Sequence, residues 1–205
     1  MRTALAAASL VLLSGCASAF APLLKPEVSS EAAALTPGAY ALDPTHASVL
    51  FKIDHLGYSQ YVGRFERWDA TLDFDADDPS SARLDAIVDM TSLDIANDEF
   101  AETLLGPDWF DAETHPQAIF RSTEITVTGD NTGTATGDLT LNGVTAPATF
   151  DITFNGGGQD ALRRAYVVGF SATGEIDRTV FGVDRFSGLI TDTVSLEIEA
   201  EFLAE

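Results

Sequence analysis

The chain has 205 residues, 45% of them apolar, and a formal net charge of −21 from 32 acids against 11 Lys and Arg. That length suits one domain plus a segment at one end, and the apolar fraction suffices for a sizeable core. The charge repels phosphates at long range, which excludes nucleic acid and argues against a peripheral grip on anionic lipid. It describes a well-solvated acidic surface.

Met1 and Arg2 give a short positive start, and Ala4 to Leu13 is an apolar run of ten residues. Such a run is too short to span a bilayer and has the length of a signal-peptide core. Leu13-Ser14-Gly15-Cys16 follows at once and reads as a lipobox, with small residues before the only cysteine of the chain. The expectation is a signal peptide over 1–15 and acylation of the Cys16 thiolate. The protein would then be anchored on the periplasmic side of a bacterial cell envelope. Cleavage after Ala17-Ser18-Ala19 is the alternative, and it releases a soluble periplasmic protein. Residues 16–38, punctuated by Pro22, Pro26 and Pro37, read as a flexible tether, and residues 39–205 as the folded domain.

The first strand covers Tyr40 to Leu56, with a break at Pro44. Val49, Phe51, Ile53 and His55 alternate onto one face, while Leu50, Lys52 and Asp54 take the other. A second strand, Val62 to Asp75, puts Trp68, Ala70, Leu72 and Phe74 together, and a third runs from Arg83 to Ser92. Asn97 to Leu105 changes to helical spacing, with Asn97 as N-cap and Gly106-Pro107 as the stop. Asp108-Trp109-Phe110-Asp111 adds a further short turn of helix. Strands resume at Gln117 to Thr128, and at Thr134 to Leu141 ahead of the Asn142-Gly143 hairpin signal. Val144 to Phe154 follows, and Gly156-Gly157-Gly158 loops out. Ala165 to Asp177 and Thr193 to Phe202 complete the set.

These are about eight strands joined by short loops, so neighbours in sequence pair antiparallel. Two packed sheets would bury their apolar faces. Long strands and tight turns favour one sheet closed on itself, an all-β, eight-stranded antiparallel barrel with a short helical insertion. No carboxylate pair is placed for acid–base work, and no nucleophile elbow or phosphate loop is present. His46, His55 and His115 show no metal spacing. The reading is of a protein without cofactor, metal or catalytic residues.

Four segments then carry a resemblance: Phe51 to Ser59, His115 to Thr123, Gly137 to Thr145, and Ile176 to Gly182. In order and spacing they are similar to the YceI-like family of exported bacterial lipid-binding proteins, over about Gly38 to Phe202. The resemblance implies a lipocalin-like barrel whose lumen takes a polyisoprenoid or another long-chain amphiphile. It is compatible with a homodimer. The acidity of this chain, its lipobox and its tether depart from many members, but none of these touches the lumen.

The expected lining is Phe51, Ile53, Trp68, Leu72 and Phe74 from the first two strands. Phe120, Phe150, Ile152, Phe170 and Phe181 join it from the later segments. A solid core built of the same side chains is the alternative, which would leave a structural or interaction lipoprotein. His55 is placed to hold a polar head or to support the cover of the mouth; the alternative is a core histidine bonded to backbone. Arg64 and Arg178 are candidates for a phosphate-bearing head, since a guanidinium matches phosphate in two places. For each taken alone, a structural ion pair with one of the 32 acids is the favoured alternative. The function that follows is sequestration or transport of an isoprenoid-type lipid. An envelope enzyme acting on such a lipid with His55 as base is the rival.

Overall fold

The computed structural model describes residues 25–31, 35–75 and 78–205. The expected signal peptide over 1–15, Cys16 and the start of the expected tether lie outside these residues. Ten strands form one antiparallel sheet: β1 (Gly38–His55), β2 (Ser59–Phe65), β3 (Trp68–Phe74), β4 (Arg83–Asp89), β5 (Leu93–Ile95), β6 (Gln117–Val127), β7 (Thr132–Leu141), β8 (Val144–Asp160), β9 (Ala165–Asp177) and β10 (Thr193–Ala204). The order around the sheet is β10-β9-β8-β7-β6-β4-β3-β1-β2-β5, and β10 also pairs with β1 from Tyr40 to Ile53. The sheet is therefore a closed tube with no free long edge.

The tube has eight staves, because β2 and β3 are halves of one stave and β4 and β5 halves of the next. β1 pairs with β3 at its start, Gly38 to Ala41, and with β2 at its end, Val49 to His55. β5 continues the stave of β4 by pairing with β2. The expected unbroken strand from Val62 to Asp75 is thus corrected. Its break at Glu66–Arg67 is built by Ser92, which is buried in a short 3-10 turn after β4. The Ser92 hydroxyl accepts the Arg67 N–H at 3.0 Å and donates to the Asp89 carbonyl at 2.6 Å. The Ser92 carbonyl accepts the Glu66 N–H. The Asp89 N–H in turn donates to the Arg67 carbonyl at 2.9 Å, so the break is held by backbone bonds from both staves.

The helical insertion is α1 (Asp98–Leu105). Asn97 caps it by accepting the Phe100 N–H at 3.0 Å, and Asp98 and Glu99 meet the positive end of the helix dipole. Asp108 to Phe110 is a hydrogen-bonded turn rather than helix, closed by Trp109 and Asp111 N–H groups on the Gly106 carbonyl. Asn142 and Gly143 make the β7–β8 turn with φ of 51° and 73°, the left-handed pair that a two-residue hairpin demands.

β1 runs on through Pro44, so the break expected there is a slip of register instead. Between Leu42 and Ala47 the β1–β10 register slips, and the displaced residues make a polar knot on the outside of the seam. Asp43, itself buried, accepts from the Thr45 N–H and hydroxyl, from His46 Nδ1 at 2.9 Å and from Arg163 Nη1 at 3.1 Å. Arg163 also binds Asp160 and Glu201, so one guanidinium ties β1 to the β8–β9 turn and to β10. The Thr45 hydroxyl, ahead of His46 and Arg163, holds the Asp43 carboxyl well below the usual carboxylate range.

The triple glycine does not loop out. β8 runs on through it to Asp160, with a bulge between Phe154 and Gly156. The glycines make a seat for the chain before the barrel, where Ser29 pairs with Gly157. A Cβ at Gly158 would stand 2.5 Å from the Glu27 carbonyl oxygen, and one at Gly156 would stand 2.4 Å from Val28. Leu35 is buried beside Tyr40 and Phe74. The part of the expected tether that is described therefore lies against the base of the barrel.

Inside, large rings rest where glycines leave room. Phe51 faces Gly63 across β1 and β2, Phe150 faces Gly174 across β8 and β9, and Phe120 lies over Gly137. A Cβ on these glycines would come within 2.3, 2.6 and 2.7 Å of the respective rings. Gly63→Val is therefore expected to cost about 1–3 kcal/mol by overpacking. Chemical denaturation reads this cost, and shortening Phe51 to Leu in the same chain relieves part of it; an undiminished cost in the double variant contradicts the account. Asp43→Asn is expected to cost about 1–3 kcal/mol at neutral pH, since it removes a charged acceptor from the seam. The native carboxyl is depressed, so its contribution is present above the unfolded value of about 4 and is lost as pH falls further. Denaturation midpoints of the two proteins should thus converge below about pH 4.

Candidate ligand-binding cavity

The lumen holds a cavity of about 680 Å³ that runs the length of the barrel. Alternation makes it: every second residue of each strand faces in, and those residues are almost all aliphatic or aromatic. Two apolar clusters form its wall. The upper one gathers Val49, Phe51, Phe65, Leu104, Trp109 and Phe120 with their neighbours, and the lower one Leu35, Tyr40, Phe74, Phe154 and Phe202 with theirs. The rings meet edge to face, Phe120 with Phe150 at 5.2 Å and Phe170 with Phe202 at 6.1 Å between centroids. Such contacts favour a wall of locked rotamers.

The upper end is roofed by a chain of rings. His55 lies 6.4 Å from Tyr61, Tyr61 lies 6.0 Å from Phe100, Phe100 lies 6.4 Å from Trp109, and Trp109 lies 6.0 Å from Phe186. All five line the cavity. They come from β1, β2, α1, the turn after α1 and the 178–192 segment, so the roof exists only once the tube has closed. Burial pushes the Tyr61 phenol up. The charged residues that line the cavity, Asp54, Asp130 and Arg178, stand at its ends. The middle is apolar.

Of the residues expected to line the lumen, Phe51, Ile53, His55, Trp68, Leu72, Phe74, Phe120, Phe150, Ile152, Phe170 and Arg178 do so. Arg64 does not. Gly63 and Phe65 face inward, so parity sends Arg64 outward, where it pairs with Asp94 at 2.7 Å and Glu66 at 3.1 Å. Phe181 is buried outside the cavity in a short 3-10 turn, and its carbonyl accepts from Asn142. Arg178 reaches the wall, but four of its five N–H donors are used. They bind the carbonyls of Thr191, Val183 and Arg185 and the Asp192 carboxylate at 2.8 Å. The guanidinium is the clasp of the 178–192 segment and has no two-pronged face to offer a phosphate.

His46 is tied to Asp43 on the outside, and the His115 ring packs over Gly143 at the β7–β8 turn. His55 is exposed at the mouth. Among the described residues no group of three or more His, Cys, Asp or Glu could hold a metal ion, and no helix is long and apolar enough to cross a membrane. The site also contains Tyr61, Phe65, Phe100, Leu104, Trp109, Phe110 and Phe186, which the sequence reading did not assign. Inward parity along β2 would have found Tyr61 and Phe65, and the apolar face of α1 would have found Phe100 and Leu104. Phe186 has no periodic signal around it.

Known proteins share this architecture. The YceI-like domain matches residues 40–202 of the chain. A UPF0312 protein of Pseudomonas savastanoi pv. phaseolicola is 38% identical over 156 residues, covering 76% of this chain and 80% of that protein. The crystal structure of Burkholderia cenocepacia BcnA superposes with a TM-score of 0.71 at 24% identity, covering 78% of this chain and 98% of that one. A polyisoprenoid binding domain from Saccharophagus degradans shares the fold with a TM-score of 0.63 at 13% identity, covering 81% of this chain and 98% of its own. The matched span begins at Tyr40 in β1 and ends at Phe202 in β10, the two strands that close the tube, and this chain belongs to the YceI-like family.

Proposed function

We propose that this protein binds a long-chain isoprenoid-type lipid or a similar amphiphile within the barrel and sequesters or carries it in the bacterial cell envelope. The cavity carries the reading. Its volume of about 680 Å³ falls in the ~300–1,000 Å³ range of small-molecule sites, and its length and apolar wall suit a chain rather than a compact polar solute. About twenty buried methylenes, at about 0.8 kcal/mol each, exceed the ~4–15 kcal/mol cost of association. A binding domain for a polyisoprenoid with the same fold supports the choice of ligand class.

The geometry favours holding over turnover. The Asp54 carboxylate beside His55 accepts the Gly57 N–H at 2.8 Å and His55 is itself exposed at the mouth, an arrangement unlike a base held by a buried orienting partner. The lipobox at Cys16 supports a lipid anchor on the periplasmic side, and soluble release into the periplasm is the alternative that the Ala17-Ser18-Ala19 site supports.

Protein purified from its native host is expected to yield one long-chain lipid per barrel on solvent extraction and mass spectrometry. Repeated empty extracts from folded protein would remove the carrier reading. His55→Ala is expected to lower the affinity for that lipid by no more than about fivefold, the worth of one neutral hydrogen bond at the mouth. Complete loss of lipid from the folded variant would show that the apolar wall is not the main grip.

A further inference from the structure

Among the described residues, one buried side-chain polar atom has no hydrogen-bond partner: Nε1 of Trp68. It belongs to a residue that lines the cavity. Trp68 opens β3, pairs with Val88 of β4, and packs against both the upper and the lower apolar cluster. The indole therefore sits at the waist of the tube, away from the charged residues at either end.

A buried tryptophan N–H normally finds an acceptor, because leaving a donor unmet forfeits its hydration without return. A phenylalanine ring at this place would meet the same apolar neighbours without the orphaned donor. An indole N–H can only donate, so what satisfies it must accept. The surroundings are apolar, which disfavours a charged acceptor. We infer that the Trp68 indole N–H is a recognition group for an uncharged oxygen acceptor of the ligand, such as a carbonyl, ester or ether oxygen, seated at the waist of the barrel.

This rests on the cavity being a lipid site, and it narrows the ligand. A plain hydrocarbon chain leaves the donor unmet. A molecule that kept its only polar group at the mouth would do the same. The fitting ligand carries its acceptor deep, with apolar chain above it, below it or both. Nε1 is covered in this structure, so contact requires the indole to tilt toward the lumen about its own side-chain bonds.

The test compares a long prenyl ketone with the hydrocarbon in which a methylene replaces its carbonyl. Both are titrated into the protein after its own lipid has been stripped. The ketone is expected to bind about fivefold to tenfold more tightly than the hydrocarbon. Trp68→Phe is expected to abolish that preference, read as the ratio of ketone to hydrocarbon affinity within the same variant, whatever the smaller ring does to both affinities together. The second measurement uses unaltered protein: of the indole N–H resonances from Trp68 and Trp109, that of Trp68 moves downfield with the ketone and stays in place with the hydrocarbon. A ketone preference that survives in Trp68→Phe overturns the inference, as does a Trp68 resonance blind to the ketone. If neither probe binds the folded protein, the lipid-site reading itself fails; if both bind equally well, only the role of Trp68 does.

Discussion

A closed sheet forces half of its side chains into one narrow space, and whether any room remains depends on what the rings rest against. Here Phe51, Phe120 and Phe150 each lie over a glycine of the neighbouring strand. The ring fills the place of the missing side chain and stays close to the wall. Without those glycines the same aromatic composition would press toward the axis, and a small barrel readily fills itself. The vacancy along the lumen is therefore a property of ring–glycine pairs across strands, more than of hydrophobicity as such.

The two ends of the tube are finished by different means. Above, α1, the turn after it and the 178–192 segment supply a run of aromatic rings, with Arg178 spending its donors on backbone carbonyls to hold that segment in shape. Below, the glycine run of β8 accepts residues 27–29 along its edge, and Leu35 enters the lower cluster. The seam between β1 and β10 is secured on the outside by Asp43 and Arg163, where the register slips at Pro44. Polar chemistry is thus kept to the rims and the outer surface. The Trp68 N–H at the waist is the exception, which is why it bears on the identity of the ligand.

Much of this was legible in residue order. Period-two alternation located the staves, and the Asn142-Gly143 pair located a hairpin. Asn97 marked the start of α1, where its side chain meets the Phe100 N–H. Errors arose where a local signal had a distant cause. Gly156 to Gly158 reads as a loop because glycine usually marks one, yet here it makes room for residues 27–29. The strand from Val62 to Asp75 reads as continuous, yet it breaks where Ser92 reaches across to Arg67. Arg64 was placed by its nearness to the mouth, while the pleat turns it outward to Asp94.

Residue order by itself determined the class of fold, the inward set on most strands and the family, because alternation, turn chemistry and short motifs are local in the chain. Tertiary structure alone decided that the lumen is open and where its roof comes from. It also decided that Arg178 is a clasp and that the Trp68 donor is unmet. Each of these depends on which groups from distant segments share a space, and volume and hydrogen-bond satisfaction have no local spelling in a sequence.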